Sequence, residues 1–322
     1  MPMNRRQLLR CGAAFGATLA AGTPAWAEGK PIQIIVPFGP GGSGDISARM
    51  LGEWLTKKTG RPVTVDNRPG ANGIIGVEAA RKGPADGTVL LLATTSTHLA
   101  NPSLFKKLPY DPGKDFRLVG SFGQGSFYLL VNPSSLYKTV AEFVQAAKAE
   151  PGKLNYGYFN ATSSVSSAMF AATAGITMTG VPYKQVGQAM TELMAGQLQV
   201  VFTDTVQGDA FVASGQLRAL AVHSGERLKR FPQVPLVRET YPDFDVSAGF
   251  LGVAVPAGTP VAIQQQLNDL INEAVTTDPI KSRLEGFGFT PHKVSLAELA
   301  NFERTERAKW PKYVAIAKLE VQ

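Results

Sequence analysis

The chain is expected to fold as an α/β protein of two lobes, each a sheet flanked by helices. Three observations predict this: short apolar runs alternate with amphipathic stretches, Gly, Pro and Asn punctuate the changes of pattern, and the alternation comes in two successive blocks.

In the first block, Ile32-Gln33-Ile34-Ile35-Val36 is a nearly continuous apolar run ending at Pro37, which suits a buried parallel strand. A Gly-rich loop follows. Ile46, Met50, Leu51, Trp54 and Leu55 then recur on one helical face until Gly60 ends the helix. Val63 to Asp66 reads as a second strand, Ile74 to Lys82 as a second helix and Thr88 to Ala93 as a third strand. This β-α-β-α-β order implies a parallel sheet covered on both faces.

The second block gives strands at Leu129 to Val131, Leu154 to Tyr158, Gln199 to Phe202 and Leu217 to Val222. Helices are expected at Thr139 to Ala149, Gln188 to Ala195 and Gln207 to Ala213. In the tail, Thr259-Pro260 offers a cap followed by Pro at the first helical position, and Asp278-Pro279 repeats the device. Ser295 and Glu298 form a capping box for a last helix running to about Ala317. The expected division is a leader at 1–27, a first lobe at 28–122 plus 224–322, and a second at 123–223. The hinge is expected near Gly120 to Gly125 and Val222 to Gly225.

The leader has Arg5, Arg6 and Arg10 with no acid, a weakly apolar stretch from Cys11 to Gly22, and Ala25-Trp26-Ala27 before Glu28. That is the pattern of a cleaved signal peptide, by the twin-arginine or the general secretory route. The stretch is too short to span an apolar layer of about 30 Å. A lipoprotein anchor at Cys11 is disfavoured, because Arg10 stands where a small residue is expected and the apolar region follows the cysteine. Cys11 is the only cysteine, so the exported protein has no disulfide, thiol nucleophile or Cys metal ligand.

Formal net charge is +7, and removing the leader's three arginines leaves +4. This fits an anionic ligand or plain solubility. No basic block interleaved with aromatics suggests nucleic acid. His98, His223 and His292 lack metal-ligand spacing and read as loop or surface residues. Ser43 is one residue off a nucleophile elbow with no Asp/His pair to complete a triad, and no carboxylate pair is placed for glycoside chemistry. Neither a metal nor a cofactor is expected.

Gly39, Gly41 and Gly44 fit G-x-G-x-x-G between a strand and a helix, with Asp66 closing the next strand. This is the dinucleotide-binding fingerprint, so an exported oxidoreductase using NAD or FAD is one reading. The physics is more general. Glycines allow close approach, and the free N–H groups and positive dipole end of a helix start hold a carboxylate as well as a phosphate. A tight turn with no ligand is the third reading. No Lys-Ser or Lys-Thr follows, so the loop is not an ATP-binding P-loop.

Pro37-Phe38-Gly39-Pro40-Gly41-Gly42-Ser43-Gly44-Asp45, then Asp66-Asn67-Arg68-Pro69-Gly70-Ala71 and Gly73, resemble the receptors of tripartite tricarboxylate transporters, the Bug family. The resemblance continues at Pro84-Ala85-Asp86-Gly87, Val181-Pro182-Tyr183-Lys184, Gly215 to Val222 and Val255 to Pro260, in order along almost the whole exported chain. It implies a periplasmic-binding-protein-like fold of type II, a Venus flytrap, in a monomeric, non-enzymatic periplasmic receptor. Such a receptor captures a small carboxylated solute and delivers it to membrane permease subunits. A periplasmic adaptor for a sensor kinase would share the fold.

Carried onto this chain, the resemblance implies ligand contacts at Phe38, Gly41, Gly42, Ser43 and Asp45 in the first loop. It adds Ala93 and Thr95 after the third strand, and Tyr158, Phe159, Ser163 and Asp204 from the second lobe. Thr95 could instead cap the next helix, Asp204 could close a turn, and Arg68, Tyr183 and Lys184 could face the cleft or support it. The chain departs from the family at Tyr158-Phe159-Asn160-Ala161, where small residues and a histidine are usual, and at Gln185-Val186. Two aromatics at a cleft loop suggest a stacking wall and an aromatic or bulkier acid. Tyr158 could equally face the core.

Overall fold

A computed structural model describes residues 29–246 and 249–322; the expected leader, with Cys11, lies outside them. The first sheet has the order β2-β1-β3-β10-β4, from β1 (Ile32–Val36), β2 (Val63–Asn67), β3 (Val89–Thr94), β4 (Phe116–Gln124) and β10 (Phe250–Pro256). The second has the order β7-β6-β8-β5-β9, from β5 (Phe127–Val131), β6 (Asn155–Tyr158), β7 (Thr179–Pro182), β8 (Val200–Asp204) and β9 (Arg218–His223). In each sheet four strands run in one direction and one runs against them, and that strand is the first one formed after the chain crosses from the other lobe, β10 on the return to the first and β5 in the second.

The principal helices are α1 (Ser43–Thr59), α2 (Ile74–Arg81), α3 (Val140–Ala149), α4 (Ala161–Ala174), α5 (Val186–Met194), α6 (Thr205–Ala213), α7 (Val261–Thr276), α8 (Ile280–Gly286), α9 (Leu296–Arg307) and α10 (Trp310–Ile316). Strand alternation sorts the core. Ile32, Ile34 and Val36 of β1 pack with Leu51 and Leu55 of α1 and Ile263, Leu267 and Ile271 of α7. Ile35 points the other way, into a cluster with Val77 and Ala80 of α2. That cluster runs on through Phe116 and Trp310 to Phe143, Phe170 and Phe202, so one apolar core joins both lobes.

Four features differ from expectation. Residues 224–246 pack on the second sheet: Leu236 bridges Val222, the His223 ring meets the Val246 carbonyl at 2.8 Å, and Phe244 lies against Phe202 and Phe170. The chain therefore leaves this sheet some twenty residues after the expected boundary, while β4 runs to Gln124 before the forward crossing. The expected last helix is two. Pro311 is the second residue of α10, where a missing N–H costs nothing, but it could not sit inside a continuous helix. Pro260 takes the cap position of α7 and Thr259 is buried behind it. His98 is an interior residue at 1% exposure beside Phe116, and burial pushes its imidazole down to about 3.

Candidate functional site: a cleft ringed by helix starts

Both sheets direct loops toward one cavity of about 430 Å³ between the lobes. From the first lobe come Phe38 to Asp45, Thr94 to Ser96 and Gly249 to Leu251; from the second, Phe159, Asn160 and Thr162, Lys184 to Gly187, Asp204 and Gln207.

The Gly-rich loop is shaped by two glycines for different reasons. Gly41 has φ +81°, a backbone state that side chains resist. A Cβ on Gly44 would lie 2.4 Å from Leu92 Cδ2, so Gly44 lets α1 approach β3. The cap of α1 is Gly42, which offers no side-chain acceptor. The first intrahelical bond, Ile46 N–H to Gly42 O at 3.0 Å, leaves the preceding amides without helical partners at the cavity.

Asp45 lines the loop but its carboxylate is occupied. It accepts the Gly41 N–H at 3.0 Å and pairs with Arg49 through Nε at 3.1 Å and Nη2 at 2.9 Å. Arg49 also bonds Asn67, whose amide reaches the Phe38 carbonyl at 3.1 Å. Burial alone would raise Asp45, yet the Arg49 guanidinium and Gly41 N–H hold it below the usual carboxylate range. Asp45 shapes the cradle.

Five helix starts meet around the cavity. Those opening at Thr95, Ala161 and Thr205 are capped by Thr94, Asn160 and Asp204. Those of α1 and α5 carry no side-chain cap bond, so their first-turn N–H groups are the ones free to meet an anion. Thr95 does not take the alternative role of cap: its Oγ1 accepts the Phe250 N–H at 2.7 Å, tying the loop to β10.

The second lobe contributes Asp204, 8% exposed. Its Oδ1 accepts the Gln207 N–H at 3.1 Å, and its Oδ2 accepts Gln207 Nε2 at 2.5 Å and, across the cleft, Ser43 Oγ at 3.2 Å. Burial raises its pKa to about 6 against these bonds. The lobes touch again where Ser126 Oγ donates to the Gly288 carbonyl at 2.8 Å and Thr205 Oγ1 to that of Phe287. The remaining wall is apolar, with Phe38, Phe127, Phe159, Phe211, Phe250 and Phe289.

Of the residues expected at the site, Phe38, Gly41, Gly42, Ser43, Asp45, Thr95, Phe159 and Asp204 line this cavity, and Ala93, Tyr158 and Ser163 do not. Ala93 is a core residue of β3. Tyr158 packs on the shared core with its ring 6.0 Å from Tyr156. Ser163 Oγ accepts the N–H groups of Phe159 and Asn160 and holds the start of α4. Lys184 lines the cavity, whereas the Tyr183 hydroxyl is spent on Glu192 and Arg68 on Asp66.

Sequence reasoning passed over Gln185 to Gly187, Gln207, Phe127, Phe250 and Phe289. The Gln185-Val186 departure marked the first of these, and the apolar run before Val255 marked Phe250. Asp66, the acid a dinucleotide ribose would need, lies outside the lining and is bonded to Gln33 and Arg68. The oxidoreductase reading is therefore not supported. Among the described residues no group of His, Cys, Asp and Glu is arranged to hold a metal ion.

Comparison with known proteins finds relatives along most of the chain. Protein BugT of Bordetella pertussis is 34% identical over 316 residues, spanning 96% of each chain. A UPF0065 protein from the tcbD-tcbE intergenic region of Pseudomonas sp. strain P51 is 30% identical over 88% of this chain and 85% of its own. A structure described as a periplasmic transporter superposes with a TM-score of 0.85 at 30% identity, covering 91% of this chain and 99% of the other. R. palustris Rpa4515 with adipate gives 0.86 at 27%, over 90% and 98%. The pattern of the tripartite tricarboxylate transporter family receptors matches residues 47–319, and the chain belongs to that family of solute-binding receptors.

Proposed function

We propose that this receptor works outside the cytoplasm, closing its lobes over a small carboxylated solute and presenting it to membrane permease subunits. The observation that carries the reading is the uncapped start of α1, aimed with that of α5 into a cavity between the lobes. Two or three amide hydrogen bonds to a carboxylate, at about 1.5–3 kcal/mol each, offset its desolvation. The structures of Rpa4515 with adipate and of MatC from Rhodopseudomonas palustris with bound malate are consistent with such a ligand. A task of binding is what membership of the tripartite tricarboxylate transporter family receptors supports.

The six phenylalanines favour an acid with an apolar body, and Phe159 supplies the stacking wall for which Tyr158 was the other candidate. A thermal-shift panel of aliphatic and aromatic mono-, di- and tricarboxylates tests this. A ligand at 100 times its dissociation constant stabilises by about 2.7 kcal/mol. At least one acid is expected to shift the midpoint; silence across the panel would contradict the function, and shifts from aliphatic acids alone the aromatic preference.

A further inference from the structure

Asp204 and Ser43 face each other across the cleft at 3.2 Å. Ser43 is the first residue of α1, so a carboxylate held on the α1 amides comes within about a hydrogen bond of the Asp204 carboxyl. Among the described residues neutral donors alone bond Asp204, from Ser43 and Gln207. The other charged side chains lining the cavity are Asp45, matched by Arg49, and the exposed Lys184.

On the neighbouring strand, β5 places Phe127 opposite Asp204, and β9 beyond it brings His223, whose pKa is depressed by burial. The turn after α8 contributes the Phe287 and Gly288 carbonyls. A second acceptor, Gln207 Oε1, is buried beside Asp204 without a hydrogen-bond partner. Like charges so close cannot both be kept in a buried site unless a hydrogen lies between them.

Building on the carboxylate reading, we infer that Asp204 sets specificity by requiring a shared hydrogen between itself and the bound carboxylate. That hydrogen comes from a hydroxyl or ammonium next to the ligand's carboxylate. For an acid with no such group, it is one proton taken up from solvent on binding and donated by Asp204. The site then prefers α-substituted acids at alkaline pH and accepts unsubstituted acids only on the acid side.

Calorimetric titration at pH 5.5 and pH 8 with two matched pairs, phenylacetate against mandelate and butyrate against 2-hydroxybutyrate, tests this on the purified protein. Unsubstituted acids are expected to lose about tenfold or more in affinity between the two pH values, and hydroxy acids less than about threefold. In Asp204→Asn, which keeps the helix cap, affinity for the unsubstituted acids is expected not to vary with pH. PH-independent binding of phenylacetate and butyrate by the wild type would overturn the inference and leave the carboxylate site standing. No binding of any of the four at either pH would overturn the inference, and silence across the thermal-shift panel as well would overturn the carboxylate reading.

Discussion

Asp204→Asn will stabilise the ligand-free protein at pH 8, by on the order of 3 kcal/mol, and the gain will fade toward pH 4. Burial raises the Asp204 carboxyl from 3.8 to about 6. Between those values the folded chain retains a proton that the unfolded chain has released. Stability is therefore lost as pH rises through this window, and the full penalty is present above it. Asparagine has the same shape and caps a helix equally well, so the Gln207 N–H bond at 3.1 Å survives while the buried charge is removed. Urea unfolding of both proteins at pH 4 and pH 8 measures the difference; an equal or reversed difference at pH 8 would show that Asp204 is no burden to the fold.

Asp45→Ala is expected to weaken carboxylate binding by about tenfold to a hundredfold, the loss of one charge-assisted amide bond. Asp45 is the only side chain that bonds the Gly41 N–H among the described residues, and it anchors Arg49, which reaches Asn67 and through it the Phe38 carbonyl. Removing it releases both ends of the loop and lets Gly41 leave its φ of +81°. Asp45→Asn retains an acceptor for Gly41 and should lose less. Calorimetry with an acid that scores in the thermal-shift panel reads the effect, and an unchanged affinity for Asp45→Ala would mean that the loop keeps its shape unaided.

The first lobe was readable because its strands and helices follow one another and their punctuation is local: Pro37 ends β1, Gly60 ends α1, and the Ser295–Glu298 box opens α9. The central antiparallel strand was not. Phe250–Pro256 is an apolar run whose neighbour β3 lies about 160 residues earlier, and no local pattern announces that pairing. At the site, the motif named the loop but could not say which groups face the ligand. Tyr158 and Phe159 are adjacent, and neighbouring positions at a strand end point to opposite sides. Tyr158 therefore joins the shared core with Tyr156, while Phe159 turns into the cleft. Which of the two did so depends on a register set by partners elsewhere in the chain. Asp45 looks like a ligand contact in sequence because its hydrogen bond to Gly41 is visible only once the loop has folded.

The most direct test of the carboxylate cradle is the set of backbone amide chemical shifts of ¹⁵N-labelled protein titrated with the acids of the panel. The largest changes are expected at Gly42, Ser43, Gly44 and Asp45, with a second set at Val186 and Gly187 across the cleft. Changes confined to other surfaces, or none at these amides, would contradict it.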